Sequence, residues 1–186
     1  MYMNLPNFLT MMRLAAVPLL VVMYYGVEST IPAVFIFMLA GFTDWLDGYA
    51  ARLSNQVTAL GAFLDPVADK LLVVTVLFLV MGKHRDPLLS VLAITLVCRE
   101  VFISSLREWL AHSASKSRLS VSLAAKLKTA CQMAALTILL YTPSVYSYLG
   151  LFGVALLTLS VALSVFSAIN YVKIAWPALT FSPKKE

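Results

Sequence analysis

Asp44 and Asp47 stand three residues apart, and Asp65 and Asp69 four apart, in stretches that are otherwise largely apolar. Residues at these spacings share one face of a helix, so each pair forms a two-carboxylate face. An acid deep in a membrane span costs roughly 2.5–3.5 kcal/mol, and four at full depth on the order of 10 kcal/mol. A cost of that size calls for compensation. Four converging carboxylates suit hard divalent cations such as Mg²⁺ or Mn²⁺, which prefer oxygen ligands. Neutralisation by Arg52 and Lys70 in structural ion pairs is the plainer reading, but two bases do not balance four acids. A cation pathway, as in a small transporter, is a third reading of the same acids. The stretch beyond Lys70 argues against it, because residues 71–80 are apolar apart from Thr75.

Small and basic residues surround these acids. Gly48 follows Asp47, and Gly61 lies four residues before Asp65. Glycine inside a helix costs about 1 kcal/mol against alanine, and in return lets a ligand or another backbone come close. Arg52, one turn beyond Gly48, offers a bidentate fork to a phosphate. Further along, Arg99 and Arg107 are eight residues apart, on roughly one face over two turns. Arg107, Lys126 and Lys128 approach the same side of the chain as the acids, and Arg118 extends the set. Cations that outnumber local acids form a natural phosphate site. Glu100 is adjacent to Arg99 but points elsewhere on a helix. The plainer reading of these cations is a solvated basic rim against anionic lipid. Arg13 reads as a snorkelling side chain. His84 and His112 lack metal-ligand spacing, and Trp45 and Tyr49 read as packing or interface residues.

The elements that must position these residues are membrane helices. Of 186 residues, 61% are apolar and 12% charged, against about 45–50% and roughly 25% in soluble domains. That excludes a disordered chain, a coiled coil and an ordinary soluble enzyme. One span with its loop takes roughly 25–30 residues, so the chain holds about six spans in a single all-α domain. The apolar segments fall at about 8–25, 32–53, 59–81, 87–110, 121–141 and 146–174. Met1 to Thr10 reads as an interfacial lead-in rather than a cleaved signal. The short link between the second and third segments predicts an antiparallel hairpin that brings the two acid faces together. Residues 113–120 read as a serine-rich connector able to close over the site.

Charge sets the orientation. Arg52, Arg107, Lys116, Arg118, Lys126, Lys128, Lys173, Lys184 and Lys185 gather on one side, and Lys83 and Arg85 on the other. The positive-inside rule therefore makes both termini and the acid-bearing ends cytoplasmic. The net charge of +5 fits an anionic leaflet, and no basic block beyond Lys184 and Lys185 suggests nucleic acid. Cys98 and Cys131 sit in apolar runs and read as buried thiols.

The acids and small residues also form one pattern. Asp44-Trp45-Leu46-Asp47-Gly48-Tyr49-Ala50-Ala51-Arg52 is followed, after eight residues, by Gly61, Asp65 and Asp69. This resembles the signature of the CDP-alcohol phosphatidyltransferases, D-x-x-D-G-x-x-A-R-x8-G-x3-D-x3-D, at all eight fixed positions. The resemblance implies a six-helix membrane enzyme that moves a phosphatidyl-type group from a CDP-linked lipid to an alcohol and releases CMP. It implies that Asp44, Asp47, Asp65 and Asp69 hold two divalent ions, and that Asp69 also deprotonates the acceptor. Gly48, Ala51, Arg52 and Gly61 would line the CDP pocket.

The likeness extends beyond the signature. Asn4-Leu5-Pro6-Asn7-Phe8-Leu9-Thr10 with Arg13, Arg99-Glu100-Val101-Phe102-Ile103-Ser104, and Lys126-Leu127-Lys128-Thr129 are similar to bacterial members accepting glycerol 3-phosphate. The implied substrates are CDP-diacylglycerol and sn-glycerol 3-phosphate, the implied product phosphatidylglycerophosphate. The implied setting is a homodimer among the lipids of the bacterial cytoplasmic membrane. Cardiolipin, inositol-phosphate or serine transfer are the neighbouring alternatives, and would leave Arg99, Arg107 and Lys126 without an obvious task.

Overall fold

The computed structural model describes residues 5–54, 59–112 and 123–180. Within these, the side chains of 5–7, 44–54, 59–60, 62, 111–112, 123–126, 174 and 177–180 are outside the description. Among the described residues every regular element is a helix: α1 (Leu5–Gly26), α2 (Ile31–Ser54), α3 (Ala59–His84), α4 (Pro87–His112), α5 (Leu123–Tyr141) and α6 (Tyr148–Thr180).

Helix ends follow local chemistry. α1 is helical from Leu5, the first described residue, within the stretch expected to be a lead-in; Pro6 lies inside the helical range. α3 runs on through Lys83 and His84. Arg85 then takes a left-handed conformation (φ 48°), and its N–H bonds Met81 O at 2.9 Å, closing the helix. Asp86 caps α4 by accepting from Leu89 N at 3.0 Å, with Pro87 at the first helical position. α6 starts at Tyr148, after a turn in which Ser144 and Ser147 serve the backbone, and continues past Pro177.

Among the described residues, three helices carry stretches long and apolar enough to cross a membrane: Phe8–Gly26, Pro87–Leu110 and Tyr148–Lys173. Ile31–Thr43 in α2 and Leu127–Tyr141 in α5 are shorter apolar stretches. Large apolar side chains also cover the outside, among them Val22, Phe35, Phe78, Val91, Ile94 and Phe166. Such a surface is unfavourable against water and matched by acyl chains.

The helices pack as two four-membered rings. α1 and α5 each pack on both α2 and α3, and α4 and α6 close a second ring with α3 and α5. The shared α3–α5 edge lies beside the core of Val76, Leu77, Val80, Leu136, Leu139 and Leu140. Close approach of α5 and α6 depends on Gly153, where a Cβ would stand 3.0 Å from Leu139 and Ile138 side-chain carbons.

This packing corrects the expected hairpin. Among the described residues α2 and α3 form no extended contact, because α1 and α5 lie between them. Apolar contacts from α1 and α5 fill that space, and α1 also brings polar donors to α3. Two further readings change. Cys98 is exposed on α4 and Cys131 is only partly buried, since each lies on the flank rather than the inner face of its helix. Arg13 does not snorkel: its side chain is fully buried, because a carboxylate on α3 lies within reach.

Candidate active site

The helices alternate in direction, so the C-terminal part of α2, the start of α3, the end of α4 and the start of α5 gather at one end of the bundle. The sequence-derived site residues belong to these segments. Asp44, Asp47, Gly48, Ala51 and Arg52 lie on the last turns of α2, and Lys126 on the first turn of α5, with side chains outside the description. Arg118 lies outside the described residues altogether. Gly61 is buried near the start of α3.

The side chains of Asp65 and Asp69 are among those described. They are one turn apart on α3, and both are partly exposed. Thr10 Oγ1 of α1 donates to Asp65 Oδ1, and Arg13 Nη1 donates to Asp69 Oδ1 at 2.8 Å. Pro66, between the two acids, has no N–H, so the carbonyl of Ala62 loses its helical donor beside the site.

A second polar cluster joins α4, α5 and α6. Glu100 Oε1 accepts from Arg99 Nη1 at 2.8 Å and from Lys128 Nζ. Arg99 Nε donates to Ser164 O at 3.0 Å, and Ser160 Oγ donates to Lys128 O at 3.1 Å. The expectation that Glu100 points away from Arg99 is therefore corrected. Adjacent residues leave a helix about 100° apart, but the long arginine stem folds back and its fork of donors reaches the neighbouring carboxylate. Arg107 stacks over the Tyr171 ring, 5.4 Å from its centre, a cation–π contact between α4 and α6.

The two clusters open into one cavity of about 520 Å³. Asp69, Lys70, Arg99, Glu100, Arg107, Lys128, Thr129 and Gln132 are among its walls. Its lining changes along the helices. Toward the acid-bearing end it is charged, with four cations against Asp69 and Glu100 among the described residues. Toward the middle of the bundle it is apolar, walled by Val73, Val74 and Leu77 of α3 and Leu96 and Val97 of α4. Such a cavity suits an anionic group at its charged end and hydrocarbon further in.

Asp65 and Asp69 offer hard oxygen donors one turn apart, a donor type that fits Mg²⁺ or Mn²⁺. Among the described residues there is no cluster of three ligating side chains; the two acids of α2 are outside that set. Arg13 and Glu100 are the polar partners that sequence reasoning missed. Their signal is chemical rather than periodic: an ionic group inside an apolar run needs a partner, and here it has one.

Residues 3–166 match the family of CDP-alcohol phosphatidyltransferases. The chain is 39% identical over 187 residues to a CDP-diacylglycerol–glycerol-3-phosphate 3-phosphatidyltransferase of Pseudomonas fluorescens, covering 99% of this chain and 96% of the relative. The proteins of the same name from Haemophilus influenzae and Escherichia coli are 40% and 39% identical. Those matches cover 92% and 94% of this chain, and 93% and 96% of the relatives.

Proposed function

The chain belongs to the CDP-alcohol phosphatidyltransferase family, and from that membership we propose that it transfers the phosphatidyl group of CDP-diacylglycerol to sn-glycerol 3-phosphate. The products are phosphatidylglycerophosphate and CMP. The observation that carries this reading is the near-full-length likeness to relatives named for that reaction. The excess of cations beside Asp69 supports a phosphorylated acceptor.

In this reading the acceptor hydroxyl oxygen bonds to the phosphatidyl phosphorus, the bond from that phosphorus to the bridging pyrophosphate oxygen breaks, and CMP leaves. Asp69 takes the hydroxyl proton. Arg99, Arg107 and Lys128, with Lys126 and Arg118, hold the acceptor phosphate and so fix the attacking hydroxyl by its far end. Gly48, Ala51, Arg52 and Gly61 line the CDP site, Arg52 meeting a phosphate with its fork. Asp44, Asp47, Asp65 and Asp69 would hold two divalent ions, Mg²⁺ or Mn²⁺, and these would supply charge neutralisation for the phosphoryl-type transfer. The apolar part of the cavity excludes water, which would otherwise compete as acceptor.

The six helices form one domain that spans the bacterial cytoplasmic membrane, with both termini and the charged end of the cavity on the cytoplasmic side. The protein works there as a homodimer. The test is CMP release by purified protein in detergent with CDP-diacylglycerol and Mg²⁺ or Mn²⁺. Glycerol 3-phosphate, glycerol, inositol phosphate, serine and phosphatidylglycerol are offered separately. Metal-dependent release with glycerol 3-phosphate alone is expected. Release with another alcohol instead overturns the acceptor, and no release with any of them overturns the reaction.

A further inference from the structure

α1 carries none of the acids, yet it touches both of those described on α3. Thr10 and Arg13 are three residues apart on α1, and Asp65 and Asp69 four apart on α3, so each pair presents one face. The faces meet residue for residue, Thr10 to Asp65 and Arg13 to Asp69. The donors and acceptors differ in environment. Thr10 and Arg13 are each 1% exposed, whereas the side chain of Asp69 is 45% exposed and lines the cavity. The donors are locked into the packed layer, whereas Asp69 faces the cavity and Asp65, one turn before it, is partly exposed.

This arrangement is a poor way to gain stability. Removing an arginine from water carries a large desolvation cost, and well-packed apolar residues often replace a buried ion pair without loss. It is a good way to hold carboxylates still. An oxygen held by a buried donor limits the rotation of its carboxylate, so the carboxylate keeps one orientation toward the cavity. α1 also packs against α2, the helix that carries Asp44 and Asp47.

We infer that Thr10 and Arg13 are positioning residues, a cradle on α1 that sets the orientation of the Asp65 and Asp69 carboxylates. The inference rests on the reading above, in which those carboxylates hold divalent ions and Asp69 accepts the proton. Because Asp69 remains half-exposed, loss of the Arg13 contact leaves its carboxylate open to solvent rather than stranded, and the variants below are expected to fold.

The experiment uses the full chain in detergent with Thr10→Val, Thr10→Ser and Arg13→Lys. Mn²⁺ binding is measured by electron paramagnetic resonance without substrate, beside kcat, the acceptor KM and the unfolding temperature. Thr10→Val is expected to weaken Mn²⁺ binding and lower kcat by about 10–100-fold. The KM for glycerol 3-phosphate is expected to stay within about threefold. Thr10→Ser, which restores the hydroxyl, should recover both. Arg13→Lys keeps the charge without the fork and should lose part of kcat. Unaltered Mn²⁺ affinity and kcat in Thr10→Val and Arg13→Lys would overturn the cradle while leaving the reaction standing. Losses that follow a lowered unfolding temperature, without recovery in Thr10→Ser, overturn it in favour of a packing role. Absence of both Mn²⁺ binding and CMP release in the unsubstituted protein overturns the reading beneath it as well.

Discussion

The two ends of the bundle spend their polar groups differently. At the end formed by the α3–α4 and α5–α6 connections, side chains serve mostly backbone. Lys83 Nζ donates to Leu140 O at 2.6 Å, a His84 ring nitrogen lies 2.8 Å from Leu139 O, and Asp86 caps α4. The Tyr146 hydroxyl adds a bond from the second connection to Asp86. At the acid-bearing end, side chains meet side chains: Thr10 with Asp65, Arg13 with Asp69 and Lys128 with Glu100 across helices, and Arg99 with Glu100 within α4. The first pattern satisfies the loose ends of helices and finishes the fold. The second holds charge beside a cavity, where packing alone would be cheaper. Polar groups that serve the backbone mark structure, and those that hold one another around an open volume mark chemistry.

Substitutions test that division. The largest effect is expected from Asp69→Asn, which keeps shape and removes the proton acceptor. It should lower kcat by about 10²–10⁴-fold with the fold intact. Near-normal turnover would move proton transfer elsewhere and weaken the contrast between the two ends. Next, Arg107→Ala should raise the acceptor KM by roughly 10-fold or more, the value of a charge-assisted contact, with little change in the KM for CDP-diacylglycerol. An unchanged acceptor KM would return Arg107 to the lipid rim, held there by Tyr171. The smallest effect belongs to the opposite end. Asp86→Ala removes a helix cap worth about 1 kcal/mol and should lower the unfolding temperature by roughly 2–4 °C. Its kcat should stay at the unsubstituted value; a large fall would join the two ends functionally.

Much of the fold was legible because membrane helices announce themselves by length. The apolar runs end at Gly26 and at Asp86-Pro87, and α1 and α3 end within a few residues of those points. Their neighbours were less legible. A short link invites a hairpin, but the placement of α1 and α5 between α2 and α3 depends on surfaces distant in sequence. Arg13 shows the same difficulty, since its partner is 56 residues away. Nothing local to α1 reveals that Asp69 lies beside it. Glu100 was missed for the opposite reason: helical spacing assigns it to another face, and only the flexibility of Arg99 and the position of Lys128 on a different helix bring the three together. The signature acids were legible as a set because their spacing is local, two per helix. How the pairs converge depends on α2 side chains outside the description.

The cavity that turns from charged to apolar along α3 and α4 has a kinetic consequence under the proposed reaction. Its two substrates belong to different solvents. Glycerol 3-phosphate is counted per volume of cytoplasm, whereas CDP-diacylglycerol is counted per area of membrane. Diluting the protein in buffer at a fixed lipid composition leaves the second quantity untouched, but adding inert lipid or detergent lowers it. The rate therefore follows the mole fraction of the nucleotide lipid in its surface, and the bilayer itself becomes a means by which supply governs output.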